Sequence, residues 1–281
     1  MYFIGVSTAQ SAVNRLFPRW IAAIDQPATQ LIGLDLPINA PPRTYHTAIH
    51  RMLHDPTCLG ALVTTHKLAI YREAANFFTS FDTDARLLGE VSCIVKRGSE
   101  LTGLALDTIT AGLALESVLT RAIEPVRAAL IIGAGGAGVA LALYLSRKHP
   151  EIHVTLTDTA ADRTAHVAQV TPYRCVPTDS PDALLAALPS GSLIVNATGM
   201  GKDRPGCPTS PATRFPGDAL AWDFNYRGDL QFLHHASAQG SQAIDGWEYF
   251  LHGWSQIMAK VLGFELTAER FRAMSVAASR P

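Results

Sequence analysis

Short apolar runs alternate with amphipathic segments along the first hundred residues. The runs predict strands at residues 2–6, 30–36, 60–64, 90–96 and 101–105, and the amphipathic segments predict helices at 13–24, 44–54 and 67–77. Strands that alternate with helices in this way are typical of an α/β unit, because each strand needs a helix to cover its apolar face.

The middle of the chain repeats the alternation. After a helix at about residues 108–122, apolar strands are predicted at 126–132, 152–157, 192–196 and 219–224, and helices at 139–146, 161–170 and 181–188. Buried parallel strands joined by helices form a doubly wound, Rossmann-like sheet. From Trp247 onward, large apolar residues recur at helical spacing, which predicts a helix with a core-packing stripe.

A glycine-rich turn follows the strand predicted at 126–132. Gly133, Gly135 and Gly138 match the G-x-G-x-x-G pattern, and Gly136 lies inside it. In that pattern the first glycine allows a tight turn, the second lets backbone approach a pyrophosphate, and the third lets helix and strand pack closely. Asp158 closes the next strand about twenty residues after the last glycine. The sequence therefore predicts a dinucleotide site formed by these residues.

Asp158 also bears on which dinucleotide binds. A carboxylate at this strand end accepts hydrogen bonds from ribose hydroxyls and repels a 2′-phosphate, so we predict NAD in preference to NADP. Two alternatives stay open. Asp158 could instead cap the helix that follows, and Arg163 one turn later could pair with a phosphate.

Composition and charge exclude several classes of protein. The chain of 281 residues has a formal net charge of −1 and no extended charged tract, which argues against nucleic-acid and membrane-surface partners. The uncharged run at 128–145 has the length of a membrane span, but the glycines at its centre favour a strand, turn and helix. Scattered cysteines and the absence of a signal-peptide pattern predict a reducing, cytoplasmic location.

Histidines recur every fourth residue on one predicted helix, at His46, His50 and His54. This spacing can mimic a metal-binding face, but no HExxH-type carboxylate accompanies it, so we interpret the stripe as solvated and predict no metal site. Monomer and homodimer both remain open.

Several motifs, taken in order, resemble those of the shikimate dehydrogenases and their quinate-using relatives. The matching segments are Gly5 and Ser11, residues 60–67, residues 89–92, Gly103 and Asp107, the glycine turn, residues 196–200, Asp223 and Tyr226, and Gly246. The resemblance implies an enzyme of aromatic amino acid biosynthesis with a cleft between two domains. Residues 1–107 and 245–281 would form the α/β substrate-binding domain, and residues 108–244 the dinucleotide-binding domain.

The resemblance also implies a catalytic pair. Lys67 matches the family's catalytic lysine and Asp107 its catalytic aspartate. The residue types suit the chemistry, because oxidising a secondary alcohol requires a base for the hydroxyl proton while hydride leaves for nicotinamide, and a lysine in a dry cleft can serve. Asp107 would orient the ammonium or the hydroxyl and share the proton. Taken singly, each has another interpretation, Lys67 as a solvated helix-start lysine and Asp107 as an N-cap.

The substrate residues depart from the family pattern. Where the family has polar side chains that read substrate hydroxyls, this sequence has Val13, Ala61, Val63, Ala105 and Leu106. Sites that lack such groups cannot select for the matching hydroxyls, so we predict a cyclic hydroxy substrate that is less hydroxylated than shikimate, or differently substituted.

Other polar residues are predicted to contact the substrate. Ser11 and Ser92 remain as candidates for hydrogen bonds to substrate hydroxyls, and Tyr226 matches a substrate-contacting tyrosine of the family. The family's late glutamine aligns with Gly253, and Gln256 one turn on is a candidate substitute or a surface residue. Asn196, Thr198 and Gly199 follow an apolar strand and are predicted to face the nicotinamide, a plain strand-ending turn being the alternative.

These observations support one main hypothesis and two others. The main one is an NAD-dependent oxidoreductase that interconverts a ring secondary alcohol and a ketone of a shikimate- or quinate-like substrate. The absence of the family's hydroxyl-binding side chains also fits a second hypothesis, a specialised biosynthetic reductase of a cyclic ketone or imine. A non-catalytic NAD-binding sensor is the third, and the presence of both Lys67 and Asp107 argues against it.

Overall fold

Among the residues that the structure describes, the strands form two sheets of six strands each. The structure, a computed structural model, describes residues 1–202 and 204–278. It divides into two units, one made of Met1–Leu106 with the described residues from Gly253 onward, the other of Asp107–His252. The predicted α/β class, with a Rossmann-like sheet in one unit, is confirmed.

The first unit begins the chain. Its strands are β1 (Tyr2–Gly5), β2 (Ile32–Asp35), β3 (Gly60–Val63), β4 (Ser80–Phe81), β5 (Cys93–Arg97) and β6 (Glu100–Leu104). Its helices are α1 (Val13–Ala23), α2 (Pro42–His54), α3 (Lys67–Ala74) and α4 (Thr83–Leu88).

The second unit follows. Its strands are β7 (Ala128–Ile132), β8 (His153–Asp158), β9 (Arg174–Pro177), β10 (Leu193–Asn196), β11 (Leu220–Asp223) and β12 (Gln242–Ile244). Its helices are α5 (Asp107–Leu119), α6 (Gly136–Lys148), α7 (Ala161–Val170), α8 (Asp182–Ala186) and α9 (Gln231–Ser237). Helix α10 (Trp247–Leu262) starts in this unit and ends in the first, and α11 (Ala268–Ala277) belongs to the first.

The sheet of the first unit is mixed, in the order β2-β1-β3-β5-β6-β4. β1 pairs in parallel with β2 and β3, whereas β5 runs antiparallel to both β3 and β6. The last helices pack against the first elements of the chain: the Trp20 indole N–H in α1 donates to the Met274 carbonyl at 2.9 Å, and Trp254 packs edge-on against Phe3 of β1. These buried contacts explain how the end of the chain joins its beginning in one unit.

The sheet of the second unit is entirely parallel, in the order β12-β11-β10-β7-β8-β9. This is the strand order of doubly wound dinucleotide-binding sheets, in which the direction of winding reverses between the first and fourth strands, here β7 and β10. Ligands of such sheets bind outside the carboxyl ends of the strands at that point. The segments that leave β7 and β10 are therefore the expected position of a ligand-binding site.

The structure differs from the sequence prediction at the end of the chain. A continuous helix was predicted from Trp247, but Gly263 adopts a left-handed backbone with φ of +76° and ends α10. The amides of Gly263 and Phe264 both bond the Ala259 carbonyl, which closes the last turn. Thr267 then caps α11 by accepting from the Arg270 amide at 3.2 Å.

Candidate active site

The glycine turn lies at the carboxyl end of β7 and leads into α6. Gly133 has φ of +103°, and a Cβ there would stand 2.9 Å from the carbonyl carbon of Ala197. A Cβ at Gly138 would stand 2.0 Å from the Gly133 carbonyl oxygen, so only glycine lets the helix approach the strand this closely. The turn and the segment after β10 are therefore in contact.

The middle of the turn has room for a ligand. Apart from the adjoining residues of the chain, the described atom nearest to the position that a Cβ at Gly135 would take is a guanidinium nitrogen of Arg163, at 3.7 Å. Gly136 begins α6, and amides in the first turn of a helix have no partner within the helix. Backbone donors and a cation thus border an open position, which suits the diphosphate of a dinucleotide.

Asp158 ends β8 and is bound by three donors of its own unit. Oδ2 accepts from the Ala134 amide at 2.8 Å and from Arg163 Nη1 at 3.1 Å, and Oδ1 accepts from the Ala160 amide at 3.0 Å. Its side chain is only 7% exposed. The carboxylate therefore fixes the glycine turn and the start of α7, and Arg163 offsets its charge.

The segment after β10, residues 196–201, is held by a hydrogen-bond network, and we call it the Asn196 loop. Asn196 Oδ1 accepts from both the amide and the hydroxyl of Thr198, at 3.1 and 2.7 Å. The Thr198 hydroxyl accepts in turn from the Met200 amide at 3.1 Å, and Asn225 Nδ2 donates to the Met200 carbonyl at 2.9 Å. Gly199 takes φ of +73° at the bend.

Asp223, the last residue of β11, holds this network through hydrogen bonds from Asn196 and Asn225. It is 1% exposed and accepts from Asn196 Nδ2 at 2.9 Å and from the Asn225 amide at 2.8 Å. Burial raises the pKa of its carboxyl to about 6, although these hydrogen bonds and the Lys202 ammonium act in the opposite direction. The orientation of the Asn196 amide, and through it the loop, depends on this carboxylate.

Lys67 is the first residue of α3 in the first unit, four residues after β3 ends. It is half-buried, and its carbonyl accepts from the Val91 amide at 3.1 Å. His66 beside it is buried, with its ring against the Leu36 carbonyl and the Tyr45 hydroxyl, and burial lowers its pKa. A neutral imidazole adds no positive charge next to the lysine.

Asp107 begins α5 and is 4% exposed. The hydroxyl of Tyr249, in the first turn of α10, donates to Asp107 Oδ2 at 3.2 Å. Sequence reasoning did not single out Tyr249, because it lies off the apolar stripe of that helix and nothing in a single sequence marks such a contact.

The predicted substrate residues fall into different surroundings. Ser92 is fully buried. Its hydroxyl accepts from the Leu106 amide at 2.8 Å and donates to the Leu104 carbonyl at 3.4 Å, so both hydrogen bonds go to the backbone at the end of β6. Ser11 is half-buried beside the start of α1 and accepts from the Val13 amide at 3.4 Å.

Tyr226 lies in an aromatic group of the second unit, with ring centroids 4.4 Å from Phe250 and 5.4 Å from Trp247. Gln256 is half-buried on α10 in the first unit. Apart from its chain neighbours and the backbone of its own helix, no atom of the described chain lies within 4 Å of where a Cβ at Gly253 would stand, so this position has open space beside it. Ala61, Val63, Ala105 and Leu106 are all at most 4% exposed.

The histidine stripe is explained by local contacts. His50 and His54 stack at 4.0 Å, and His46 Nε2 bonds the Glu73 carbonyl. Within residues 1–202 and 204–278, no group of three or more His, Cys, Asp and Glu side chains is placed to hold a metal ion. Over the same residues, no helix has both the length and the apolar composition needed to cross a bilayer.

Comparison with known proteins finds shikimate dehydrogenases among the relatives of this chain. Shikimate dehydrogenase (NADP(+)) of Aeropyrum pernix is 30% identical over 217 residues, which cover 74% of this chain and 76% of that protein. The enzyme of the same name from Halorubrum lacusprofundi is 30% identical over 141 residues, so the chain matches about half, 48%, of its length. No protein-family model matches the chain.

Solved structures share the fold across the full length. Shikimate dehydrogenase from Aquifex aeolicus covers 99% of this chain and 97% of its own at a TM-score of 0.78 and 20% identity. Quinate dehydrogenase from Corynebacterium glutamicum, solved in complex with NAD, gives a TM-score of 0.73 at 22% identity and covers 98% of both chains.

The relatives define an oxidoreductase, and the fold builds it from an α/β unit and a Rossmann-like unit. The chain belongs to the shikimate dehydrogenase family, as its 30% identity to the Aeropyrum pernix enzyme over three quarters of its length shows. The resemblance seen in the sequence is thus confirmed.

The predicted preference for NAD is wrong. The curated relatives are named as NADP(+) enzymes, and a neighbouring structure from Thermus thermophilus was solved with NADP(H) and shikimate. The prediction assumed that the Asp158 carboxylate is available to ribose hydroxyls and repels a phosphate. In the structure it is bound by two amides and Arg163, which offsets its charge and places a cation at the strand end.

Proposed function

We propose that this chain is an NADP-dependent oxidoreductase that interconverts a secondary alcohol and a ketone on a cyclic hydroxy substrate. The contact between the glycine turn and the Asn196 loop, at the point where the winding of the second sheet reverses, carries the proposal. Ligands of doubly wound sheets bind there, and the relatives are dehydrogenases. In this proposal the second unit binds the dinucleotide and the first unit binds the substrate.

The residues of the second unit fit a dinucleotide. Gly135 and Gly136 leave backbone amides open to the diphosphate. A guanidinium nitrogen of Arg163 lies 3.7 Å from the position that a Cβ at Gly135 would take, and this guanidinium can pair with an adenosine 2′-phosphate. Asn196, Thr198 and Gly199 would border the nicotinamide. When bound, the dinucleotide accepts or supplies the hydride.

Lys67 and Asp107 handle the proton in this proposal, as in the family pattern. In the oxidative direction the neutral Lys67 amine would take the proton from the hydroxyl oxygen while hydride leaves the carbon that bears the hydroxyl, so that the products are the ketone, the reduced dinucleotide and the Lys67 ammonium. In the reverse direction the ammonium returns that proton to the carbonyl oxygen. Asp107 orients the ammonium or the hydroxyl and shares the proton.

The substrate class follows from the apolar positions of the first unit. Ala61, Val63, Ala105 and Leu106 are buried and offer no side-chain donor or acceptor. A ring that carries every hydroxyl of shikimate would leave some of them without partners, which costs about 1–3 kcal/mol for each buried group. We therefore propose a less hydroxylated ring. The same positions favour a second candidate reaction, reduction of a cyclic ketone or imine in a biosynthetic route.

The test is a set of initial rates with NADP and NAD. Shikimate, quinate and less hydroxylated cyclic alcohols are the substrates in one direction, and the matching ketones and imines in the other. We expect a higher kcat/KM for a less hydroxylated ring than for shikimate, with NADP preferred. Higher kcat/KM for shikimate would contradict the substrate class, and tight dinucleotide binding with no turnover of any compound would indicate a sensor.

Arg163→Ala tests the cofactor assignment. We expect the KM for NADP to rise about tenfold, since a hydrogen bond to a charged group contributes about 1.5–3 kcal/mol and 1.4 kcal/mol corresponds to tenfold. The KM for NAD should change much less, because NAD lacks the 2′-phosphate. Arg174→Ala, which removes an exposed cation on the neighbouring strand β9, is the matched control. Equal changes for both dinucleotides would show that Arg163 does not read the phosphate.

A further inference from the structure

The first turn of α10 reaches the beginning of α5 through two side chains. The Tyr249 hydroxyl donates to Asp107 Oδ2 at 3.2 Å, and Glu248 Oε2 accepts from the Ser117 hydroxyl at 2.8 Å. Both contacts lie within the second unit. Through Tyr249, α10 therefore contacts a residue that is predicted to handle the proton.

The ring of Tyr249 is itself held by neighbours. Its centroid lies 4.5 Å from that of Phe224, with an angle of 35° between the rings, and 6.3 Å from that of Trp222, at 82°. Both neighbours lie at the end of β11, and Trp222 is 1% exposed. A ring packed against a rigid strand end has little freedom in its two side-chain torsions, so its hydroxyl is delivered to one place.

We propose that Tyr249 is a positioning residue that fixes the Asp107 carboxylate for proton handling. The inference rests on the proposed function, because it takes Asp107 as part of the proton-handling pair. A carboxylate that accepts a hydrogen bond from a fixed phenol cannot rotate freely about its Cβ–Cγ bond. Its orientation toward the reacting group is set before the substrate arrives, and errors of about 1 Å in such geometry can cost about a hundredfold in rate.

Tyr249→Phe is the test, since it removes only the hydroxyl and keeps the ring against Phe224 and Trp222. The matched control is Tyr144→Phe, which removes another phenol that donates to a carboxylate, that of Glu116, at 2.8 Å and farther along the same helix α5. Rates are measured on the natural protein and both variants with the best substrate of the rate comparison.

For Tyr249→Phe we expect kcat to fall about tenfold or more while the KM values for substrate and NADP stay within about twofold. The solvent deuterium isotope effect on kcat should increase, because proton transfer becomes slower than the other steps. A purely structural role would not change the isotope effect. Tyr144→Phe should leave kcat and the isotope effect as in the natural protein.

The outcomes separate this inference from the proposed function. If the natural protein turns over substrate and Tyr249→Phe keeps kcat, or loses it equally with Tyr144→Phe, the positioning role is wrong and the proposed function stands. If the natural protein turns over no compound, the proposed function falls and the inference falls with it.

Discussion

Replacing Lys67 by methionine is expected to lower kcat about a thousandfold, because general acid–base catalysis by a positioned side chain typically contributes about 10²–10⁴-fold. Methionine keeps an unbranched chain of similar length at the start of α3, so the half-buried stem of the residue remains packed. The KM for NADP should stay nearly unchanged, since the dinucleotide is proposed to bind the second unit. Initial rates give kcat and the KM for NADP, and a fluorescence titration with NADPH checks dinucleotide binding directly.

Lys260→Met is the matched control for this variant. Lys260 is an exposed lysine near the end of α10, and its backbone carbonyl accepts a hydrogen bond from Arg97. It should keep full activity. A Lys67→Met variant that turned over as fast as the natural protein would remove the lysine from the mechanism, even though it matches the family pattern.

Replacing Asp223 by asparagine is expected to loosen the Asn196 loop and to change the pH dependence of stability. An asparagine side chain has one acceptor oxygen where the carboxylate has two, so it cannot accept from both Asn196 Nδ2 and the Asn225 amide in the same way. One buried donor loses its partner, at about 1–3 kcal/mol. We expect the KM for NADP at pH 8 to rise about tenfold, which corresponds to 1.4 kcal/mol.

The direction of the pH effect follows from the pKa of Asp223. Its value in the folded protein, about 6, lies above the ordinary value of 3.8, so the folded state holds the proton more tightly than the unfolded chain does. The contribution of this group to the free energy of unfolding is therefore largest below about pH 4 and is lost as the pH rises to about 6. A difference of about two units amounts to about 3 kcal/mol at 1.36 kcal/mol per unit.

Other carboxyls titrate in the same range, so the variant is compared with the natural protein at each pH. Chemical unfolding between pH 4 and 7 should show that the natural protein loses about 3 kcal/mol relative to Asp223→Asn. Asp179→Asn, at an exposed aspartate of the same unit, should run parallel to the natural protein. Parallel curves for Asp223→Asn as well would falsify the assignment of this titration to Asp223.

Part of the site could be predicted because it depends on local rules. The glycine turn carries its own requirement, since Gly133 must take a left-handed backbone and Gly138 must let α6 approach the strand. Strands β1, β3, β7 and β10 are buried along their length apart from the first residue of β7, and they appear in the sequence as apolar runs. Strands β4, β9 and β12 have two to four residues and no such run, so the pattern did not reveal them.

The sequence by itself determined the α/β alternation, the parallel sheet with its glycine turn, and the order of motifs that identifies the family. These features follow from the burial period of strands and helices and from steric limits on a few backbone angles, which act between close neighbours in the chain. Only the tertiary structure decided what the polar side chains do. Asp158 meets an amide 24 residues away, Ser92 one 14 residues away, and Asp107 a phenol 142 residues away. Such partners are brought together by packing of distant segments, and no local pattern in the sequence specifies them.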